Sequence, residues 1–218
     1  MAALDPIKPT ILATRVIPNV DRALAAQLDL TEHHRSIGLV TCDIDDSLYV
    51  SLDEATKMAD VDVVYAHSFY AGSAHASGPL SGEIIGILAG PDPAEVRAGL
   101  TACVDYAHNQ AWFQAADADG DLAFFAHPIA RTGNYLSKEA GVDQGTPLAY
   151  LIAPPLEATF GLDAALKAAD VQMKVWFAPP SETNFSGGYL VGSQSAVVAA
   201  CHAFRDAVVD VAAQPREV

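Results

Sequence analysis

The chain has 218 residues, half of them hydrophobic, with 27 acidic against 12 basic side chains and a formal net charge of −15. That balance excludes nucleic acid and anionic membrane surfaces as partners, since lysine and arginine supply most of the affinity for both. It favours the approach of small cations, although solubility alone would also explain it, and the apolar content excludes a disordered chain.

Taken in order, MAALDPIKPT places prolines and an acid where a secretory signal would need a continuous apolar run. PTILATRVI then reads as a strand and DRALAAQL as a helix. RSIGLVTCDI and VDVVYAHS, rich in β-branched and aromatic residues, read as strands on either side of LDEATKMADV. That segment is helical in pattern, with Ala55, Met58 and Ala59 on one side and Lys57 on the other. SGEIIGILAG is a further strand, too short to span a bilayer. Pro91 and Pro93 open a long helix with Val96, Leu100, Cys103, Val104 and Ala107 along one stripe.

The second half repeats this order. LAFFAHPIA and a short segment around Tyr135 and Leu136 precede TPLAYLIAPP, LDAALKAAD, VQMKVWFAPP and SGGYLVG. A last helix carries Val197, Cys201, Phe204 and Val208. Leu52–Val61 returns as Leu162–Val171 with seven of ten positions identical. The reading is a tandem duplication giving two α/β (α+β) domains, residues 1–111 and 112–218, each a mainly antiparallel sheet flanked by helices. No proline- or serine-rich linker separates them.

Cys42, Cys103 and Cys201 lack a C-x-x-C pair and read as reduced buried thiols of a cytoplasmic protein. Catalytic patterns are missing: GSQSA has Gln194 at the centre of the would-be nucleophile elbow, and no phosphate-binding or H-E-x-x-H motif occurs. DADGD has Leu122 where a calcium loop needs Gly, and reads as a turn. His67 and His75 share the stretch HSFYAGSAH, which could hold a surface zinc ion or carry its histidines incidentally. No cofactor is implied.

Acids placed near aromatics carry more information. DIDDSLY offers Asp45 and Asp46 in a loop ahead of the first repeated helix, and PPLEATF offers Glu157 in the same place in the second. Glu83 starts a strand, Trp112 and Phe113 fall at the junction, and SETNF supplies Thr183, Asn184 and Phe185. Carboxylates holding an ammonium against an aromatic face make an amine site, the cation–π part contributing about 0.5–2 kcal/mol. Solvated helix caps are the competing reading of Asp45 and Asp46.

The pattern Asp53–Lys57–Ala59–Val61, repeated at Asp163–Lys167–Ala169–Val171, resembles the bacterial microcompartment shell domain. RTGNYLS, PLAYLIAPPLEATFGLDAALK and PPSETNFSGGYL are similar to the ethanolamine-utilisation members of that family, as are HSFYAGSAH and GPDPAEVRAGL. The resemblance spans essentially the whole chain. It implies two circularly permuted shell domains in a homotrimer of pseudo-sixfold symmetry, tiling with other shell proteins in the coat of a cytoplasmic compartment.

Further implications concern single residues. Lys57 and Lys167 would lie at the tile edge; without the resemblance they read as solvated helix lysines. Asp45, Asp46, Glu83, Phe113, Glu157, Thr183, Asn184 and Phe185 would bind ethanolamine in small pores. Phe69, Tyr70 and Trp112 would close a central pore, or pack within the fold instead. Asp60 and Asp170 depart from the asparagine usual in this domain. The alternative is an amine-binding sensor or enzyme on a duplicated scaffold, which would form no sheets.

Overall fold

The computed structural model describes residues 2–69, 78–179, 181 and 184–216. In chain order its elements are β1 (Pro6–Ile7), β2 (Ile11–Ile17), α1 (Arg22–Gln27), β3 (Ser36–Cys42), α2 (Asp45–Met58), β4 (Asp62–Ser68), β5 (Ile84–Gly90) and α3 (Pro93–Asn109). There follow β6 (Phe113–Ala115), β7 (Ala123–Ile129), α4 (Asn134–Ala140), β8 (Leu148–Ala153), α5 (Pro155–Ala168), β9 (Val171–Phe177), β10 (Ser186–Gly192) and α6 (Gln194–Ala213). The chain divides into two compact units, one of residues 8–111 with 133–136, the other of residues 1–7, 112–132 and 137–218.

In the first unit four strands pair antiparallel in the order β2-β3-β5-β4. Side chains alternate across β3, so Val40 and Cys42 face one way and Ile37 and Leu39 the other. α2 and α3 cover the Val40 side with Leu48, Leu52, Val96, Leu100 and Cys103. Pro93 opens α3, as the sequence predicts, and Asp92 caps it by accepting from the Ala94 and Glu95 N–H groups.

The second unit repeats the arrangement. Its sheet runs β1-β6-β7-β8-β10-β9, again antiparallel throughout, and the last four strands follow the order of the first unit. α5 and α6 cover one face with Leu162, Val197, Cys201 and Phe204 against Phe124, Leu151 and Leu190. The opposite face carries aromatic rings: Phe113 stacks on Phe125 at 5.0 Å, and Tyr189 meets Tyr150 and Phe177 edge-on at 4.6 and 5.0 Å. Each unit is therefore an antiparallel sheet with helices against it. β1 and β6, two and three residues long, carry no readable alternation and are additions to the sequence reading.

All three cysteines are free and buried. Burial pushes Cys42 and Cys201 up to about 12, and Cys103 higher still, so these thiols stay protonated and inert. DADGD is a turn between β6 and β7: Asp117 accepts from the Gly120 and Asp121 N–H groups at 2.6 and 3.1 Å, and Gly120 takes a φ of 78°.

Candidate functional site

α2 begins at Asp45, which corrects the sequence reading of DIDDSLY as a loop ahead of the helix. Two acids in the first turn suit the positive end of the helix dipole, and the helix needs no side-chain cap from Ile44. Both carboxylates are buried, so they are not solvated caps. Asp45 accepts from the Asp46 N–H at 2.9 Å and from the Ser68 hydroxyl, whose oxygen also lies 2.7 Å from the Tyr49 hydroxyl.

Glu83 is held beside them by its own backbone. Its N–H donates to the Cys42 carbonyl at 2.8 Å, and its carbonyl accepts from the Phe69 N–H at 2.9 Å. The start of α2, the ends of β3 and β4 and the approach to β5 thus converge on one acidic corner. Burial pushes Asp45 and Glu83 above the ordinary carboxylate range, and the charges of Asp45 and Asp43 push Glu83 further. Burial also takes Tyr49 up to about 12, which keeps its hydroxyl proton.

Phe113, Glu157, Asn184 and Phe185 belong to the other unit. Phe113 is buried in the aromatic layer, with the Phe185 ring edge-on at 6.1 Å. PPLEATF, like its counterpart, is helix and not loop: Pro155 opens α5, and Glu157 sits half-buried in its first turn. Asn184 takes a φ of 64°, its N–H donating to the Ser181 carbonyl at 3.2 Å. Phe69 and Trp112 are half-buried. Thr183, Tyr70 and His75 lie outside the described residues. His67 falls in β4, within the stretch VDVVYAHS that reads as a strand in the sequence, with Tyr65 at 6.1 Å. Among the described residues no group of three or more metal-binding side chains is placed to hold an ion.

The repeated helices have diverged in what their shared residues do. Asp53 is fully buried and accepts from the N–H groups of Gly133 and Leu136 at 2.7 and 2.8 Å, capping the start of α4. Thr56 accepts from the Asn134 N–H at 3.2 Å, and the Asn134 amide donates to Asp62 at 2.6 Å. Asp62 also meets His34 Nε2 at 2.9 Å. Lys57, its side chain only 11% exposed, pairs with Glu54 at 2.5 Å and Asp53 at 3.5 Å. Lys167 is 75% exposed and pairs with Asp163 on the helix surface. The sequence reading missed this cap. Its one sequence signal is T-G-N ahead of a helix, where Gly133 cannot supply a capping side chain.

A family model described as the BMC domain matches residues 36–115. The bacterial microcompartment shell protein EutL of Clostridium perfringens is 56% identical over 211 residues, covering 97% of each chain. The crystal structure of ethanolamine utilization protein EutL from Leptotrichia buccalis matches with a TM-score of 0.97 at 57% identity, covering 100% of both chains. A trimeric bacterial microcompartment shell protein, PduB, matches at a TM-score of 0.74 and 20% identity, covering 94% of this chain and 89% of that one. At that identity the likeness extends to the fold alone.

Proposed function

The chain belongs to the EutL family of bacterial microcompartment shell proteins, and from that premise we propose that three copies form a pseudo-hexameric tile whose small pores bind ethanolamine. The tile takes its place beside other shell proteins in the coat of a compartment in the cytoplasm. The relatives are named as shell proteins, and the chain is a structural component, not an enzyme.

The observation that carries the ligand reading is the pair Asp45 and Glu83. Burial opposes the ionised form of both, and the charges of Asp45 and Asp43 oppose that of Glu83 further. An ammonium group relieves both penalties and adds charge-assisted hydrogen bonds. Asp46 shares the corner; Phe113, Glu157, Thr183, Asn184 and Phe185, of the other unit, are assigned to small-pore binding by the family resemblance.

Calorimetric titration with ethanolamine tests it: Asp45→Asn combined with Glu83→Gln should lose at least about tenfold in affinity, or about 1.4 kcal/mol. Unchanged affinity would remove both residues from the site. The pH dependence has a definite sign. Raised carboxyls take up protons at mildly acid pH, so affinity should fall there sooner than ordinary carboxyls would allow, and binding should release protons. In the free protein the sign reverses. The stability contribution of raised carboxyls is present below their unfolded pKa and declines as pH rises through the folded one.

Lys57 and Lys167 are assigned to the tile edge. Lys167→Glu should stop sheet formation seen by electron microscopy while leaving the unfolding midpoint unchanged; ordered sheets from this variant would refute the assignment. Lys57→Glu is a poorer probe, because it sets a third carboxylate beside Asp53 and Glu54. Phe69, Tyr70 and Trp112 are assigned to closure of the central pore. In images of the sheets Phe69→Ala should widen that opening, and an unchanged opening would take Phe69 out of the gate.

A further inference from the structure

The two copies of the repeat are covered unequally. In the first unit residues 133–136 lie on α2, bonded to Asp53 and Thr56, with Tyr135 stacked on Tyr49 at 6.3 Å. Leu136, the third residue of α4, has 0% exposure. By the duplication α1 corresponds to α4 and α5 to α2, and the third residue of α1 is again a leucine, Leu24. Leu24 is 42% exposed, and no residue of α1 is buried. The matching face of α5 is also open: Leu156 is 64% and Phe160 45% exposed, and Leu166 stands exposed at the position of Thr56.

We propose that α1 of a second copy of this chain seats on this face of α5, with Leu24 against Phe160 and Leu166. The proposal rests on the multi-copy reading above and names the surface it uses. Two matching apolar faces are left uncovered in one chain, and the same fold covers their counterparts within the first unit. Charge agrees, since exposed Arg22 next to Leu24 offers a cation toward Asp163.

The chemistry has shifted in the direction an intermolecular contact requires. Asp21 stands where α4 has Gly133, and a Cβ at Gly133 would collide with Thr56 and Asp53, so the tight polar cap cannot be copied. Leucine replaces Thr56 and phenylalanine replaces Val50, which turns a directional cap into an apolar contact suited to separate chains. The two surfaces differ, so the contact is heterologous and can propagate into a closed ring.

The test uses Leu24→Glu and Phe160→Glu, both at exposed positions, with circular dichroism and the unfolding midpoint checking the fold. Each variant should run by light scattering as a single chain of 22.9 kDa at concentrations where the unaltered chain is oligomeric. A Leu24→Cys chain mixed with a Phe160→Cys chain should give an oxidised dimer that neither forms alone, because the native thiols are buried. Oligomers persisting in both glutamate variants, with no mixed disulfide, would overturn the assigned surface and leave the tile reading standing. An unaltered chain that is monomeric would overturn both.

Discussion

Asp53→Ala should lower the unfolding free energy by about 2–4 kcal/mol, whereas Asp163→Ala, at the same place in the repeat, should cost less than about 1 kcal/mol. Two buried N–H groups, of Gly133 and Leu136, lose their acceptor in the first case. Each unsatisfied donor costs about 1–3 kcal/mol, and relief of a carboxylate raised by burial offsets part of the sum. Among the described residues Asp163 meets Lys167 alone, on an exposed helix face where solvent screens the pair. Denaturant midpoints at constant slope would measure the contrast. Equal effects at the two positions would mean that the cap on α4 carries no weight.

Gly82→Ala should be as damaging, and at the proposed amine site specifically. Gly82 has a φ of 62°, which a side chain strains by about 1–2 kcal/mol, and its added Cβ would overlap the Cys42 carbonyl. That carbonyl accepts the Glu83 N–H, so the substitution separates Glu83 from the end of β3 as well as straining the turn. The expected loss is about 2–4 kcal/mol of stability, together with a loss of ethanolamine binding comparable to that of Glu83→Gln. Gly141→Ala is the control: its φ is also 62°, but nothing lies within 4 Å of the added Cβ, so only the backbone strain remains. If Gly82→Ala costs no more than Gly141→Ala, the close approach at Cys42 is not what positions Glu83.

Strand and helix order was legible because the apolar pattern is strong and occurs twice. A register that buries one helix-facing side recurs in β3 and β8, and the Ser-Gly start marks the third strand of each copy. The acids of the candidate site were also legible, but their setting was not. Asp45 and Asp46 look like loop residues in sequence, since a buried helix start led by two carboxylates contradicts local hydrophobic patterning. Asp53 and Asp163 are identical in the repeat, yet only Asp53 meets a backbone segment 80 residues away in the chain. No local pattern encodes that encounter. Phe113 reads as a ligand aromatic in sequence, and its packing on Phe125 depends on the pairing of β6 with β7, which is too short to predict.

The native molar mass in solution tests the shell-tile account most directly. Three chains of 22.9 kDa predict about 69 kDa by light scattering, independent of concentration above the assembly threshold. A mass of one or two chains under those conditions would contradict the trimeric tile, and with it the assignment of edge and pore residues that depend on the ring.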